Sequence, residues 1–386
     1  TCNLLSRNQM RYSVAPRGLL LSCCLTVANI PLFSVLWKMK QRILLLFTVL
    51  ALTACKRESK ISSSDWTNIS NRTQYKEQDG NLELKSGNFT YNFKQNQTPF
   101  KKIILLNASM AGYISELGAE NLIIGVSSPE YIYSEKIQSL LKEGKIQNVG
   151  SEQKYDVEKI ISMKPDAIFT NYIASFDNTY QLLKNNGIQV VFLDEYMEQQ
   201  PLQKTAYIKL FGEFFGKEKE AETKYQEVEK NYNDLKQLAL KAKEKPVVLA
   251  NEMYGDVWYL PGGNTSVAHY IADANAHYIM KDNKEEKALT MSFEEVYAKA
   301  GGVQYWVNAG SHTSKKEMLG MNPFYGKLDV FNKGKIYTIA GKEKQKANDF
   351  FESGVVRADL ILKDYIKIFH PELLPEYQLT YMKELQ

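Results

Sequence analysis

Beginning at Lys101, short apolar runs alternate with stretches of helical periodicity. Ile103 to Asn107 has the composition of a buried strand, Ala111 to Leu117 reads as a helix stopped by Gly118, and Leu122 to Val126 predicts a second strand. Asp156 to Met163 puts Ile160 and Ile161 on the buried side of a helix, Lys164-Pro165-Asp166 breaks it, and Ala167 to Thr170 is the next strand. Thr179 to Asn186, closed by Gly187, predicts a further helix before the strand Val190 to Leu193. Alternation of this kind argues for a mostly parallel sheet flanked by helices.

The middle of the chain has a different rhythm. Pro201 to Phe215 and Glu218 to Lys245 predict two helical segments split at Gly216; in the second, Ala221, Tyr225, Val228, Tyr232, Leu235 and Ala239 recur at three- and four-residue steps. At 1.5 Å per residue that second segment would span roughly 40 Å, wider than one lobe. A helix of this length between two α/β halves is a rigid strut that allows little lobe movement. Pro246 to Asn251 then opens a second half that echoes the first. Ile103-Ile-Leu-Leu-Asn107 corresponds to Val247-Val-Leu-Ala-Asn251, and Val157-Glu158-Lys-Ile160 to Phe293-Glu294-Glu-Val296. In each half a strand follows the second motif, ending at Asn171 or Asn308, as an internal structural duplication would give.

Toward the N-terminus, residues 82–93 alternate around Ser86-Gly87-Asn88 and predict a β-hairpin. Lys56 to about Gly80 is rich in Ser, Asn and charged residues and nearly free of aliphatic ones, the composition of a flexible tether. Before it, Met39-Lys-Gln-Arg42, the apolar run Ile43 to Leu52 and Thr53-Ala54-Cys55 make a secretory signal. Its end, Leu52-Thr53-Ala54-Cys55, resembles the lipobox of bacterial lipoproteins, which implies a lipidated Cys55 as mature N-terminus. The run is shorter than the ~20 residues of a membrane span, the alternative reading. Gly18 to Trp37 is a second apolar stretch, long enough to span; with a complete leader starting at Met39, residues 1–38 are expected to be an upstream extension foreign to the native protein, a two-stage membrane anchor being the alternative. The expected organisation is 39–54 leader, 55–80 tether, 81–200 first lobe, 201–245 interlobe helix and 246–386 second lobe.

Charge changes the picture once it is located. The 386 residues carry 48 basic and 44 acidic side chains, a formal +4 that invites a nucleic-acid partner. Six basic residues and no acidic one fall within 1–54, however, leaving 42 basic and 44 acidic in the expected mature chain, a net −2. No nucleic-acid partner is expected. With 44 % hydrophobic and 24 % charged residues, the composition is that of a folded soluble protein rather than a disordered or multispan one. All four cysteines, Cys2, Cys23, Cys24 and Cys55, precede the folded body, which excludes a disulfide framework, a cysteine zinc site or a cysteine nucleophile there.

Taken in order, several stretches resemble the substrate-binding lipoproteins of bacterial ABC importers that capture ferric siderophores, haem or cobalamin. They are Ile103 to Val126 with Glu116-Leu-Gly-Ala119, Val149-Gly150, Asp156 to Asp166 and Asn186 to Phe192, then Leu260-Pro-Gly-Gly263, Ser292 to Val296, Gly334 to Tyr337 and Glu352 to Leu360. The resemblance spans about residues 101–375 and implies two Rossmann-like α/β lobes with mostly parallel sheets, joined by a single long backbone helix, with the ligand in the cleft between them. It also implies that one glutamate on the outer rim of each lobe docks onto permease arginines; the matching positions are Glu158 and Glu294. Alone, either would read as a solvated helix residue.

In such a fold the ligand meets the loops at the carboxyl ends of the strands. Met110, Tyr131, Tyr133, Tyr172, Tyr196, Tyr254, Trp258, Tyr259 and Phe351 lie on those loops, and aromatic faces with polar tips suit a large, flat or chelated ligand. His312, on the same set of loops, is a candidate axial ligand of haem iron or cobalt, or a polar contact. His269 and His277 read as surface or packing residues. Arg357 is placed either for a ligand carboxylate or for a salt bridge within the lobe.

Four histidines, all in the second half, fit badly with a zinc or manganese carrier, which needs about three converging with a carboxylate. The sequence has no His-Glu-x-x-His helix, Gly-x-Ser-x-Gly elbow or Walker phosphate loop, so an enzyme is not expected. The expected protein is therefore a monomeric receptor of the cell envelope. Its lipid anchor at Cys55 would hold it facing the periplasm, with no resident cofactor, to hand an iron or cobalt chelate to an ABC permease dimer.

Overall fold

The computed structural model describes residues 66–386. The upstream extension, the leader, Cys55 and the tether as far as residue 65 lie outside the described residues.

Strands β1 (Thr67–Asn68), β2 (Thr73–Gln78), β3 (Asn81–Ser86) and β4 (Phe89–Phe93) form an antiparallel sheet in chain order. The expected hairpin is β3–β4, with Ser86 opposite Phe89 across the Gly87-Asn88 turn. The tether ends earlier than expected, because residues 67–68 and 73–78 are already strand. Their polar composition is that of a sheet burying one face only: Thr73, Tyr75, Leu82 and Leu84 point inward, and the charged residues between them face water. This sheet leans on the site-bearing part of the first lobe. Ser70 Oγ donates to Glu198 (2.6 Å), Thr73 shares a 2.6 Å hydrogen bond with Tyr207, and the Phe192 amide donates to the Tyr91 hydroxyl (2.8 Å).

The first lobe is built on β5 (Ile103–Leu105), β6 (Ile123–Val126), β7 (Gln147–Asn148), β10 (Ala167–Thr170) and β11 (Gln189–Phe192), parallel throughout in the order β11-β10-β5-β6-β7. A small hairpin, β8 (Gly150–Ser151) with β9 (Lys154–Tyr155), follows β7. Alternate residues serve opposite faces of the sheet. Ile103, Leu105, Phe169 and Val191 join one core, and Ile104, Ile168, Val190 and Phe192 the other. Burial on both faces explains why these strands read as continuous apolar runs.

The second lobe repeats the plan with β12 (Val247–Ala250), β15 (His277–Tyr278), β17 (Tyr305–Val307), β18 (Lys335–Thr338) and β21 (Lys383–Glu384), ordered β15-β12-β17-β18-β21 and parallel except for β21. The order β15-β12-β17-β18 reproduces β6-β5-β10-β11, the topology expected of a duplication. An antiparallel sheet of β13 (Met253–Tyr254), β14 (Val257–Pro261) and β16 (Ala288–Met291), and a hairpin of β19 (Glu343–Lys344) and β20 (Ala347–Asn348), are added to it.

Helix α1 (Met110–Glu116) follows β5, and α2 (Val157–Met163) starts at the Asp156 cap, whose carboxylate accepts the Lys159 amide (3.1 Å). Helices α3 (Pro201–Phe215) and α4 (Glu218–Ala239) meet at Gly216, which takes the left-handed conformation (φ 67°) that a side chain would disfavour. The second is shorter than expected, roughly 33 Å, and ends at Ala239 rather than Lys245. It places Ala221 in the first lobe's core and Val228, Tyr232 and Ala239 in the second's. In the second lobe α5 (Phe293–Lys299) begins at a Ser292–Glu295 capping box, occupying the position α2 has in the first. Helix α6 (Ser353–Val356) returns to the first lobe: Val356 belongs to that core and its carbonyl accepts from Thr205 Oγ1 (2.8 Å). Helix α7 (Ala358–Phe369) then completes the second core. Both α4 and α6 thus tie the lobes together. No helix among the described residues is long and apolar enough to cross a membrane.

Candidate functional site

Asparagine stands just beyond the carboxyl end of the two central strands of each lobe: Asn107 after β5, Asn171 after β10, Asn251 after β12 and Asn308 after β17. All four line one cavity of about 1130 Å³ walled by both lobes. Asn251 and Asn308 adopt positive φ (57° and 55°), a conformation that asparagine tolerates better than most side chains and that turns the chain sharply at the strand end.

On the first-lobe side, Asn107 donates to Asn171, and Asn171 Nδ2 donates to Glu195 (3.1 Å). Ser109 Oγ donates to the other oxygen of Glu195 (2.6 Å). Glu195 is buried, and loss of solvent raises its pKa, opposed by the hydrogen bonds from Ser109, its own backbone amide and Asn171 and by the charge of Lys204. Burial lowers the pKa of Lys204 in turn, against the pull of Glu195 and Glu198. On the second-lobe side, Glu252 meets His312 Nε2 at 2.5 Å, and that hydrogen bond, partly offset by burial, raises the histidine pKa.

Glu352 closes the junction. It projects from the second half, yet its carboxylate accepts the backbone amides of Tyr133 (2.5 Å) and Ser134 (3.0 Å) in the first. Only 3 % exposed, it is pushed from the ordinary 4.5 up to about 7, chiefly by burial; the Tyr133 amide opposes this, Asp349 adds to it and the Ser134 amide opposes it again. The fold therefore favours the protonated form. Stability from this group is full below pH 4.5 and is lost as pH rises through 7. Glu352→Gln, neutral at every pH, is expected to gain on the order of 2 kcal/mol on the parent between pH 5 and pH 8 in urea unfolding; parallel pH profiles would contradict the assignment.

Of the residues singled out from sequence, Tyr131, Tyr172, Tyr196, Tyr259 and Phe351 line the cavity. The others do not. Trp258 is fully buried in the second core, its indole N–H donating to the Ala250 carbonyl (3.2 Å), and Met110 is buried in the first core. Tyr254 is 83 % exposed at the β13–β14 turn, outside the cavity wall. The Tyr133 ring lies under Lys344 Nζ (4.7 Å to the centroid), and His312 stands behind Glu252 rather than in the wall. Arg357 makes a two-pronged contact with Asp359, at 2.9 Å for each pair. His269 shares hydrogen bonds with Gln200 and Asn264. Lys204, Tyr270 and Tyr365 belong to the wall and were missed, because they sit on helices rather than on the strand-end loops. Among the described residues no group of three or more His, Cys, Asp or Glu is placed to hold a metal ion.

Two similarly wound α/β lobes with a large cavity between them define a cleft-type receptor for a small molecule. This chain belongs to the family described as periplasmic binding protein, whose profile matches residues 103–342, and it is accordingly a binding protein rather than an enzyme. An uncharacterized lipoprotein of Methanocaldococcus jannaschii is 27 % identical over 290 residues, 73 % of this chain and 68 % of the relative. An uncharacterized ABC transporter substrate-binding lipoprotein of Bacillus subtilis is 32 % identical over 146 residues, 37 % of this chain and 42 % of the relative. Among solved structures, a possible iron-binding periplasmic solute-binding protein from Staphylococcus epidermidis shares the fold at 21 % identity and TM-score 0.54, covering 71 % of this chain and all of its own. A periplasmic heme-binding protein from Pseudomonas aeruginosa does so at 15 % identity and TM-score 0.55, with 74 % of this chain and 98 % of that one covered.

Proposed function

We propose that this protein is the substrate-binding component of an ABC importer. It captures a metal-chelate nutrient (ferric siderophore or other iron complex, haem, or cobalamin) in the interlobe cleft and delivers it to an inner-membrane permease. The observation that carries this reading is the cavity of about 1130 Å³ shared by both lobes, at the large end of the range for small-molecule sites and lined by aromatic side chains. Membership of the periplasmic binding protein family supports it, as do one relative named for ABC transport and structural neighbours named for iron or haem binding. The lipoprotein names among the relatives support anchoring in the cell envelope; the proposed lipidated residue is Cys55, from the lipobox-like Leu52-Thr53-Ala54-Cys55. Capture and delivery require no chemistry on the ligand.

Glu158 and Glu294 are the proposed docking points. Both stand at the second position of equivalent helices, α2 and α5, both are exposed, and among the described residues neither has a salt-bridge partner. A carrier of bare zinc or manganese is the weaker reading, since the described residues bring together no such ligand set. Titration with haemin, cyanocobalamin and several ferric siderophores, followed by quenching of tyrosine and tryptophan fluorescence, tests the proposal. At least one chelate is expected to saturate one site with submicromolar Kd. Stoichiometric tight zinc with no chelate bound would overturn it.

A further inference from the structure

The charged residues of the cavity wall deepen the reading just proposed, on which this inference rests. We infer that the cleft selects metal chelates of zero or positive net charge and discriminates against those carrying several negative charges.

Five glutamates and two lysines line the cavity. Two of the glutamates are locally compensated, Glu195 by Lys204 and Glu252 by His312. Glu352 is turned onto the backbone amides of Tyr133 and Ser134, which leaves Glu152 and Glu343 against Lys346 alone. Glu152 and Glu343 are exposed, one from each lobe, on the β8–β9 and β19–β20 hairpins. Lys346 Nζ sits 5.7 Å from the centre of the Tyr131 ring. The neighbouring lysines of that second hairpin are engaged elsewhere, Lys342 with Asp349 (3.2 Å) and Lys344 with Glu135 (2.6 Å).

No arginine enters the wall. The described residues contain two, and Arg357 is forked onto Asp359 while Arg72 lies outside the cavity. The planar, two-pronged donor that best recognises carboxylates is therefore missing. A ligand bringing propionates or ionised catechol oxygens would desolvate them against glutamates with too few cations to pair them, an unfavourable burial. A neutral chelate meets amides and tyrosine hydroxyls instead. A cationic one gains from the uncompensated glutamates and from the faces of Tyr131, Tyr172, Tyr196 and Tyr259, since aromatic rings attract cations.

The test is a charge series of iron(III) complexes titrated into the full chain. It comprises a trihydroxamate, in which the three ligands cancel the metal charge, a trihydroxamate bearing a free ammonium, a tris-catecholate with three net negative charges, and haemin with its two propionates. The first two are expected to bind at least tenfold more tightly than the last two. In Glu152→Gln/Glu343→Gln, both surface positions, that ratio is expected to shrink at least threefold, and raising the salt should shrink it in the parent. Tightest binding of the tris-catecholate or haemin would overturn the inference and leave the receptor reading standing. A cleft that binds none of the four nor cyanocobalamin would end both.

Discussion

Replacing Glu158 and Glu294 together with alanine is expected to abolish permease-dependent uptake while leaving the Kd for the chelate unchanged. Both carboxylates stand at the same position of topologically equivalent helices, one per lobe, exposed and without an ion-pair partner among the described residues. An exposed charge with no internal partner adds little to folding and stays free to steer an encounter. Two such charges, one on each lobe, can also fix the register of the receptor over a two-subunit permease, where rim charges act on association rate and orientation. Neither residue lines the cavity, so binding and transport should separate cleanly. Uptake of an iron-labelled chelate by cells or proteoliposomes should fall to background in the double variant and to an intermediate level in each single one. Undiminished uptake would disprove the docking assignment.

Gly112→Val is expected to cost about 3 kcal/mol of stability or more and to weaken ligand binding. A Cβ at this position of α1 would stand 2.1 Å from the Glu352 carbonyl oxygen and 2.7 Å from its carbon, too close for any real contact. The obstacle is backbone, so no rotamer change relieves it. The remedy is to move the Glu352–Val356 segment off the first lobe. That movement would pull the Glu352 carboxylate from the Tyr133 and Ser134 amides and Val356 from its core, and so distort the cavity that Glu352 lines. Chemical denaturation beside a chelate titration checks both effects, and a variant as stable as the parent would show that the two lobes are not closely packed there.

Where a residue's fate depends on local pattern, the sequence is a good guide. Ala167 to Thr170 and Pro201 to Phe215 coincide with the observed elements because a proline or a glycine marks their ends and tertiary contacts agree with propensity. Period-two alternation even contained the correction for Trp258. It shares a buried face of β14 with Leu260, so Tyr259 between them must face the other way, into the cavity. The end of α4 was beyond local reading. Residues 240–245 are good helix formers, but the Asn275 amide, from elsewhere in the fold, donates to the carbonyls of Ala239 (3.0 Å) and Ala242 (3.4 Å) and gives the helix terminus its partner. The same holds for Lys204, one of three charged residues on α3 with Lys209 and Glu213, whose electrostatic pairing with Glu195 appears only in the folded chain. Glu352 joins segments more than 200 positions apart, which no periodicity records.

The return of α6 to the first lobe bears on the autonomy of the two halves. Their matching strand orders suggest units that once stood alone, yet Val356 now fills the first core from the far end of the chain, while α4 divides its apolar residues between both cores. Each half has become a structural creditor of the other. A gene fragment cut on either side of α4 would encode a lobe with a hole in it, and recombination could exchange this receptor's halves with a relative's only by carrying α4 and α6 across together.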